Sequence, residues 1–357
     1  MAAASEAEPE IDIVDEDVFN IIYSNGTTGL PKGIIHTHYI RAMYATMYAA
    51  YRIHPESVIV HAGSIIFNGA FLTLMPAFYL GATYILLEYF NPDELIKTIH
   101  REKVTHIKMV PSQIIGLLHS PEFSAKKLHS LEMLGSVGAP LLEYKKELHK
   151  RLPRRFYELY GLTEGFMTVL DKYDFETKPN SVGVPPPFME MRIITEDRRD
   201  TNMNEIGEIV ACGPMLMPSY YKQPELPAQA IREGWLYSGD LGYVDEDGYL
   251  YLVDRKKDMI ISGGVNVYSP DIEEIIVQHD QVQEVAVFGV PDDKWGETPI
   301  SAITPPELKD WINQRVDARY QRVHDVIFLG AFPRSTAGKT LKLLTAIFQA
   351  PILPALD

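Results

Sequence analysis

The sequence predicts an α/β protein, in which a large N-terminal domain of layered α/β sheets with a small β-rich part precedes a small α+β C-terminal domain. Over residues 34–210, apolar runs typical of buried strands alternate with amphipathic stretches, which favours layered sheets covered by helices. Near residues 205–213 the pattern changes to short strands separated by Gly turns, as in DEDGYLYLVDR. From about residue 257 the order becomes β-α-β-α-β, which is typical of a compact α+β unit.

Each element is predicted from its own pattern. Continuous apolar runs predict strands, and amphipathic stretches predict helices. In the larger part, strands are expected at 18–23, 83–87, 106–110 and 133–137, and helices at 64–80 and 93–101. In the smaller part, strands are expected at 258–261, 285–290 and 326–332, and helices at 269–278 and 307–316. Ser269 is the expected N-cap of its helix, because Pro270 and acidic residues follow it.

Composition excludes several classes of protein. The chain has 357 residues, 46% of them hydrophobic, which is enough for a core and for two or three domains. With 33 Lys and Arg against 48 Asp and Glu, its net charge of −15 argues against nucleic acid as a partner. No apolar run is long enough to span a membrane. The single cysteine, Cys212, and a first basic residue only at Lys32 favour a cytoplasmic protein without a targeting segment, whose residues 1–17 form a disordered acidic leader.

A glycine-rich loop follows the first predicted strand. Residues 24–33 read SNGTTGLPKG. The hydroxyls of Ser24, Thr27 and Thr28, the charge of Lys32 and the exposed backbone N–H groups of glycines all suit phosphate. The pattern is not a Walker loop, because Pro31 stands where a glycine should precede the lysine. An ordinary surface loop of turn residues is the alternative at this point.

Further motifs follow this loop in a fixed order. The loop resembles the signature loop of the adenylate-forming superfamily, which includes acyl-CoA synthetases, peptide-synthetase adenylation domains and beetle luciferases. The other segments that resemble motifs of this superfamily are Gly138-Ala139-Pro140, YGLTE at 160–164, YSGDLG at 237–242, DRKKD at 254–258, ISGGVNV at 261–267, and Pro333-Arg334 with Gly338-Lys339. Seven ordered matches over residues 18–342 make the resemblance specific.

The resemblance implies a site for ATP and Mg²⁺ in the larger part. It assigns the phosphates to the glycine-rich loop, through Ser24, Asn25, Gly26, Thr27, Thr28, Gly29 and Lys32. It assigns adenine to the segment Gly138, Ala139 and Pro140. Within the 160–164 motif it implies nucleotide contacts for Tyr160, Gly161 and Thr163, with Glu164, helped by Thr28, as the magnesium ligand. It also implies that Asp240 accepts hydrogen bonds from the ribose and that Arg255 reaches the ribose or phosphates. A turn-capping Asp240 and a solvated Arg255 are the alternatives.

In the smaller part, the resemblance implies a mobile lid. Lys339 is the expected catalytic lysine, which bridges the carboxylate and the α-phosphate, and Lys257 is the expected hinge. Gly263 and Gly264 would line a pantetheine tunnel. A coenzyme A surface is implied for Trp295, Tyr320 and Arg322, with an ordinary protein surface as the alternative. The resulting domains are an AMP-binding core over 18–256 and a lid over 257–357.

Two departures from the superfamily bear on function. Asn68 stands in the substrate pocket where acyl-CoA ligases usually carry a histidine, and only about two dozen residues precede the glycine-rich loop, where relatives carry an N-terminal subdomain. The leading hypothesis is an AMP-forming acid–CoA ligase for a fatty, medium-chain or aryl acid. Alternatives are an adenylation-only or carrier-protein-loading enzyme and a truncated nucleotide-binding homologue with little turnover. Besides the carboxylic acid, expected partners are a second copy of the chain or a complementing N-terminal subunit.

Overall fold

The computed structural model describes residues 10–24, 32–138, 142–223, 230–256, 258–262, 265–279, 282, 285–292, 296–302, 308–316, 318 and 321–327. Within these residues the strands form four sheets, one of them a two-stranded hairpin. The mixture of layered sheets and covering helices confirms the predicted α/β class. In this described part, no helix combines the length and the apolar character that crossing a bilayer requires.

The N-terminal hairpin carries the glycine-rich loop between its two strands. It consists of β1 (Val18–Ser24) and β2 (Lys32–Thr37), paired antiparallel and followed by α1 (His38–Ala45) and α2 (Met47–Tyr51). Thr37 caps α1, since its hydroxyl accepts a hydrogen bond from Ile40 N. The carbonyls of Asp15 and Asp17 accept from Tyr39 N and His38 N, each at 3.0 Å. Residues 15–17 of the expected leader therefore satisfy the first N–H groups of α1.

A six-stranded sheet forms the centre of the larger part. In chain order its strands and helices are β3 (Val58–Ala62), α3 (Asn68–Leu80), β4 (Thr83–Leu87), α4 (Pro92–Glu102), β5 (His106–Met109), α5 (Pro111–His119), β6 (Met133–Val137), α6 (Leu142–Arg151), β7 (Phe156–Gly161) and β8 (Met167–Leu170). The order in the sheet is β4-β3-β5-β6-β7-β8, and all pairs are parallel except β7 with β8. The carboxyl ends of β6 and β7, which carry two of the motifs, are therefore adjacent.

Helix α4 shows how local sequence fixes an element of this sheet. The Asn91 side chain accepts a hydrogen bond from Glu94 N, Pro92 stands at the first turn, and acidic and basic residues lie at opposite ends. Loss of such a cap costs about 1 kcal/mol. Leu95, Ile96 and Ile99 face one hydrophobic core with Ile107 of β5. The apolar residues of the amphipathic pattern that predicted this helix are therefore the residues that the helix buries.

The β-rich part is a second, antiparallel sheet. Its strands are β9 (Glu190–Ile194), β10 (Gly207–Cys212), β11 (Ile231–Arg232), β12 (Trp235–Val244) and β13 (Leu250–Arg255). The order is β11-β12-β10-β9, and β13 also pairs with β12. In the register of β12 and β13, Asp240 lies opposite Arg255. Two residues from separate motifs thus become neighbours.

The smaller part contains more strands than its sequence predicts. It consists of β14 (Ile260–Ser262), β15 (Val265–Val267), α7 (Ser269–Ile276), β16 (Ala286–Asp292), β17 (Gly296–Ala302), α8 (Leu308–Asn313) and β18 (Asp325–Ile327). The β-α-β-α-β order is wrong, because β14 and β15 form a hairpin and β17 pairs with both β16 and β18. Ile272 and Ile276 of α7 and Ile312 of α8 cover this sheet with a core of their own.

Two predicted helix starts also need correction. The helix predicted from residue 64 begins at Asn68, after an extended Phe67. Tyr268, not Ser269, is the N-cap of α7. Ser269 donates instead to Asp254 Oδ2 through its backbone N (3.0 Å) and its hydroxyl (3.3 Å), so it ties the smaller part to the end of β13.

Candidate active site

The glycine-rich loop is held at its base by paired strands. Ser24 and Lys32 lie opposite each other in the hairpin, so residues 25–31 connect them. Tyr221 N donates to Gly33 O at 2.7 Å and Ile35 N to Ser219 O at 3.3 Å, which extends the edge of β2. Four predicted loop ligands, Asn25, Gly26, Thr27 and Gly29, and the predicted magnesium helper Thr28 lie outside the described residues.

Tyr220 links the base of the loop to the predicted magnesium ligand. The Lys32 Nζ lies 5.2 Å from the centre of the Tyr220 ring, and the Tyr220 hydroxyl donates to Glu164 Oε1 at 3.1 Å. Burial and the neighbouring Glu164 carboxylate raise the pKa of Tyr220, so the phenol stays protonated and keeps this bond. Tyr220 could not be predicted as a site residue from the sequence, because its contact with Glu164 joins positions 56 residues apart.

The 160–164 motif makes a tight turn from β7 to β8. A Cβ on Gly161 would lie 2.5 Å from Phe166 O, so the turn requires glycine. Gly138, at the end of the adjacent β6, has φ +95° and donates its N–H to Leu159 O at 3.0 Å. Its predicted partners Ala139 and Pro140 lie outside the described residues. The two motifs predicted to contact nucleotide therefore meet at one edge of the sheet.

Tyr160 and Asp240 join the two sheets of the larger part. The Tyr160 hydroxyl, from the end of β7, donates to Asp240 Oδ2 at 2.7 Å, and Asp240 Oδ1 lies 3.6 Å from Arg255 Nε. Burial and the Asp240 charge raise the pKa of Tyr160, which keeps the donor protonated. The Asp240 carboxylate thus faces the motif of β7, where one cation and one hydroxyl orient it.

Glu208 fixes the residue that precedes the predicted hinge. Its two carboxylate oxygens lie 3.3 Å from Gly239 N and 3.3 Å from Lys256 Nζ, and Lys256 N donates to Gly239 O at 2.9 Å. The predicted hinge Lys257 lies outside the described residues and directly follows this anchored position. Glu208 lies outside the sequence motifs and was not predicted as a site residue.

Asn68 lies in a buried polar cluster at the other end of the site. Arg41 Nη1 donates to Asn68 Oδ1 at 2.9 Å, and Asn68 Nδ2 donates to the Tyr44 hydroxyl at 3.0 Å. The Glu164 charge contributes to the raised pKa of Tyr44, whose main cause is burial. The Tyr44 ring centre also lies 6.3 Å from that of His36, which reaches the 160–164 motif.

His36 binds the backbone beside Glu164. Its Nε2 lies 2.9 Å from Thr163 O, an arrangement that makes Nε2 the donor. Burial first, and then the positive charge of Arg41, lower the pKa of His36 to about 3, so the imidazole is neutral at physiological pH. A neutral His36 supports the 160–164 turn without adding charge.

The predicted residues of the smaller part are only partly described. Ser262 pairs with Val265, so Gly263 and Gly264 connect β14 to β15 and lie outside the described residues, as do Trp295, Tyr320 and Lys339. Arg322 is exposed beside the buried Val323. Within the described part of the chain, no hydrogen bond or ion pair joins Arg322 to the large-domain site.

The side chains brought together fit a magnesium–nucleotide complex. A cation for phosphate (Lys32) and a carboxylate for a hard cation (Glu164) are linked through Tyr220, and an acceptor for ribose hydroxyls (Asp240) binds Tyr160 of the same 160–164 motif. Among the described residues, no group of three or more His, Cys, Asp and Glu side chains could hold a metal ion alone.

Comparison with known proteins gives consistent matches. Residues 2–221 match the AMP-binding enzyme family and residues 271–339 match the AMP-binding enzyme C-terminal domain. The chain is 33% identical to a feruloyl-CoA synthase of an Amycolatopsis species, over 95% of this chain and 72% of that protein. It is 34% identical to a long-chain-fatty-acid–CoA ligase of Bacillus subtilis, over 94% of this chain and 62% of that protein. Among solved structures, ATP-bound MatB of Rhodopseudomonas palustris superposes with a TM-score of 0.91 at 30% identity, over 98% of this chain and 72% of that one.

Proposed function

The chain belongs to the AMP-binding enzyme family, and we propose that it is an ATP-dependent, AMP-forming acid–CoA ligase. The observation that carries the proposal is the connected set that runs from Lys32 through Tyr220 to Glu164, with Asp240 and Tyr160 at the adjacent strand end. Attack of a carboxylate on the α-phosphorus of ATP builds up charge on the phosphates, and these side chains supply the charged and polar groups that stabilise it. ATP, Mg²⁺ and coenzyme A are the corresponding substrates and cofactor.

In the first half-reaction, a carboxylate oxygen of the acid forms a bond to the α-phosphorus of ATP, and the bond to pyrophosphate breaks. We assign Lys32 and the loop residues to the β- and γ-phosphates, Asp240 and Arg255 to the ribose, and Glu164 with Thr28 to magnesium. Magnesium, when bound, neutralises charge on the phosphate oxygens. The protein's own contribution is positioning, because the Tyr220 and Tyr160 hydroxyls hold both carboxylates in place.

In the second half-reaction, the thiol sulfur of coenzyme A forms a bond to the acyl carbon, and the bond to AMP breaks. We assign Lys339 to the first step, Lys257 to the rotation between the steps, and Gly263, Gly264, Trp295, Tyr320 and Arg322 to coenzyme A. We also propose the division into a leader (1–17), an AMP-binding core (18–256) and a lid (257–357). The bonds of Ser269 to Asp254 and of Leu142 N to Glu274 Oε1 (3.0 Å) support one defined lid orientation.

We propose an apolar acid, aromatic or aliphatic, as the substrate. The feruloyl-CoA synthase and the long-chain-fatty-acid–CoA ligase are relatives that carry such acids in their names. In this chain Phe166 and Met167 lie in the hydrophobic core, whereas Phe71 contacts Arg41 in the cluster beside Asn68. Phe71 is therefore our first choice for a side chain that contacts the acid.

An exposed aromatic surface supports a protein partner. Tyr48 and Tyr79 stack with ring centres 6.3 Å apart, and Phe78, Tyr79 and Tyr89 are 68%, 70% and 68% exposed. Exposed aromatic side chains such as the stacked Tyr48 and Tyr79 are typical of interaction sites. We propose that it binds a complementing N-terminal subunit, with a homodimer as the alternative, and sedimentation of the purified chain distinguishes a monomer from a dimer. Cytoplasmic localisation stays a prediction.

The test is a pair of assays on a panel of fatty and aryl acids. Acid-dependent exchange of pyrophosphate into ATP, together with an acyl-CoA product and AMP, is the expected result. Exchange without consumption of coenzyme A would favour a carrier protein or another acceptor, and ATP binding without exchange would favour an inactive homologue. Lys339→Ala is the control: it should abolish exchange but still form thioester from supplied acyl-AMP.

A further inference from the structure

Arg41 is a completely buried cation held by neutral side chains. Its Nε donates to Asn20 Oδ1 at 2.9 Å and its Nη1 to Asn68 Oδ1 at 2.9 Å. The guanidinium carbon lies 4.1 Å from the centre of the Phe71 ring and 4.7 Å from that of Tyr44. The Nη2 group is buried and has no hydrogen-bond acceptor among the described residues. Among the described residues, both N–H groups of Nη2 are therefore unused.

Among the described residues, the positive charge of Arg41 has no close carboxylate partner, since no Asp or Glu lies within 4.0 Å of its nitrogens. Removing a cation from water without a counter-ion is costly, and aromatic faces and amide oxygens offset only part of that cost. A buried, unpaired cation therefore creates a positive potential that favours an anion nearby.

The neighbours of Arg41 place this potential beside the reaction centre. The Tyr44 ring, which contacts Arg41, has its centre 6.3 Å from that of the His36 ring, and His36 Nε2 lies 2.9 Å from the backbone oxygen of Thr163, which precedes Glu164. The resemblance of its segment to acyl-CoA ligases implies that Asn68 belongs to the substrate pocket. Arg41 contacts this amide directly, and contacts through Tyr44 and His36 lead from it to the residue before the proposed magnesium ligand.

We propose that Arg41 determines specificity for the ionised carboxylate of the acid, by fixing the Asn68 amide and by holding a permanent positive charge at this end of the pocket. The inference rests on the proposed function. Because Arg41 can only donate, it fixes the amide with Oδ1 toward the guanidinium and Nδ2 toward Tyr44. Arg41 acts through Asn68 and through its field, so it is a positioning residue.

A purely structural role for Arg41 makes a different prediction. Asn20 lies on β1, Arg41 on α1 and Asn68 on α3, so the guanidinium also ties three elements together. If that were its whole role, an acidic partner would satisfy Arg41 better and would leave substrate binding unchanged. A variant that neutralises the charge of Arg41 but keeps its contacts therefore distinguishes the two roles.

Asn20→Asp is the decisive variant. It is nearly isosteric, supplies a carboxylate to Arg41 Nε and leaves Asn68 in place. We expect an unchanged or higher melting temperature, an increase of at least about tenfold in KM for the acid, and an unchanged KM for ATP. The uncharged amide analogue of the acid should inhibit the variant as well as it inhibits the original chain. Asn20→Ser, which adds no charge, is the matched control and should change KM for the acid less than about threefold.

Each outcome decides the inference. A KM for the acid in Asn20→Asp equal to that of the original chain overturns it, and so does an equal loss of affinity for acid and amide analogue. Arg41→Lys and Arg41→Met give a second comparison: the lysine variant, which keeps the charge, should bind the acid more tightly than the methionine variant. If the unmodified chain shows no acid-dependent exchange, the proposed function itself fails, whereas normal exchange with an insensitive Asn20→Asp rejects only the role of Arg41.

Discussion

At one end of the site, Asp240 lies between the Arg255 guanidinium and the Tyr160 hydroxyl; at the other end, Arg41 lies among amides and aromatic rings without a carboxylate. Among the described residues, the first group has a partner of opposite charge and the second has none. A compensated carboxylate can exchange partners with a ribose at small cost, since it stays hydrogen-bonded throughout. An uncompensated cation instead gains when an anion arrives. We therefore propose that the protein recognises the neutral ribose diol at one end and the anionic carboxylate at the other.

Glu164 stands between the two ends and should show the largest effect. Glu164→Gln removes the charge that magnesium requires and keeps the hydrogen bond from Tyr220. We expect acid-dependent ATP–pyrophosphate exchange to fall by at least about 100-fold. Tyr220→Phe, which removes only the hydroxyl, is the matched control and should lose much less. Equal losses in the two variants would show that Glu164 acts only through its position.

Asp240→Asn should have the next largest effect and should act on ATP alone. The amide keeps one acceptor for the ribose but loses the charge that faces Arg255. We expect KM for ATP to rise about tenfold, with KM for the acid unchanged. Steady-state exchange kinetics at saturating acid give this value. A rise in KM for the acid instead would break the separation between the two ends.

Tyr160→Phe tests whether the hydroxyl merely orients Asp240. The ring stays in the core, and only the 2.7 Å bond to Asp240 Oδ2 is lost. We expect a rise in KM for ATP of about threefold to fivefold, smaller than for Asp240→Asn, because the carboxylate itself remains. In the double variant the two effects should be less than additive, which a double-mutant cycle measures. Fully additive effects would exclude the coupling.

His36, which is buried near Arg41, should make the free energy of unfolding depend on pH. The pKa of His36 is about 3 in the folded chain against 6.5 for the free group, so between these values the unfolded state binds more protons. Stability should therefore fall as pH decreases below 6.5, by at most about 1.4 kcal/mol per pH unit for this residue. His36→Gln should reduce that slope in urea unfolding between pH 6.5 and 4.5. A residual slope is expected from His106, whose pKa burial lowers to about 4.

Sequence reasoning predicted the motifs well because their residues are consecutive. The strands 83–87 and 133–137 and the Gly161 turn follow from apolar runs and from one small residue. The β14–β15 hairpin and β17 were missed, since short strands carry little pattern of their own. The contact between Asp240 and Arg255 was not predicted, because it arises from strand register, which no motif encodes.

Other parts of the site could not be predicted from local sequence. Arg41 reads as a surface residue of an amphipathic helix, and its burial depends on packing against α3. Tyr220 and Glu208 act through tertiary contacts with residues 56 and 31 positions away. A buried charge becomes recognisable only when its partners, or their absence, are known in three dimensions.

The hydrogen bond between Tyr160 and Asp240 has a consequence for folding. It joins the six-stranded sheet to the β-rich sheet across 80 residues of sequence, and the His36 contact with Thr163 spans 127. Contacts of such separation form late, because closing long loops costs chain entropy before packing offsets it. Neither sheet alone contains the nucleotide site. During refolding, ATP binding should therefore appear only when the two sheets dock. The bound nucleotide should then stabilise the docked state by mass action.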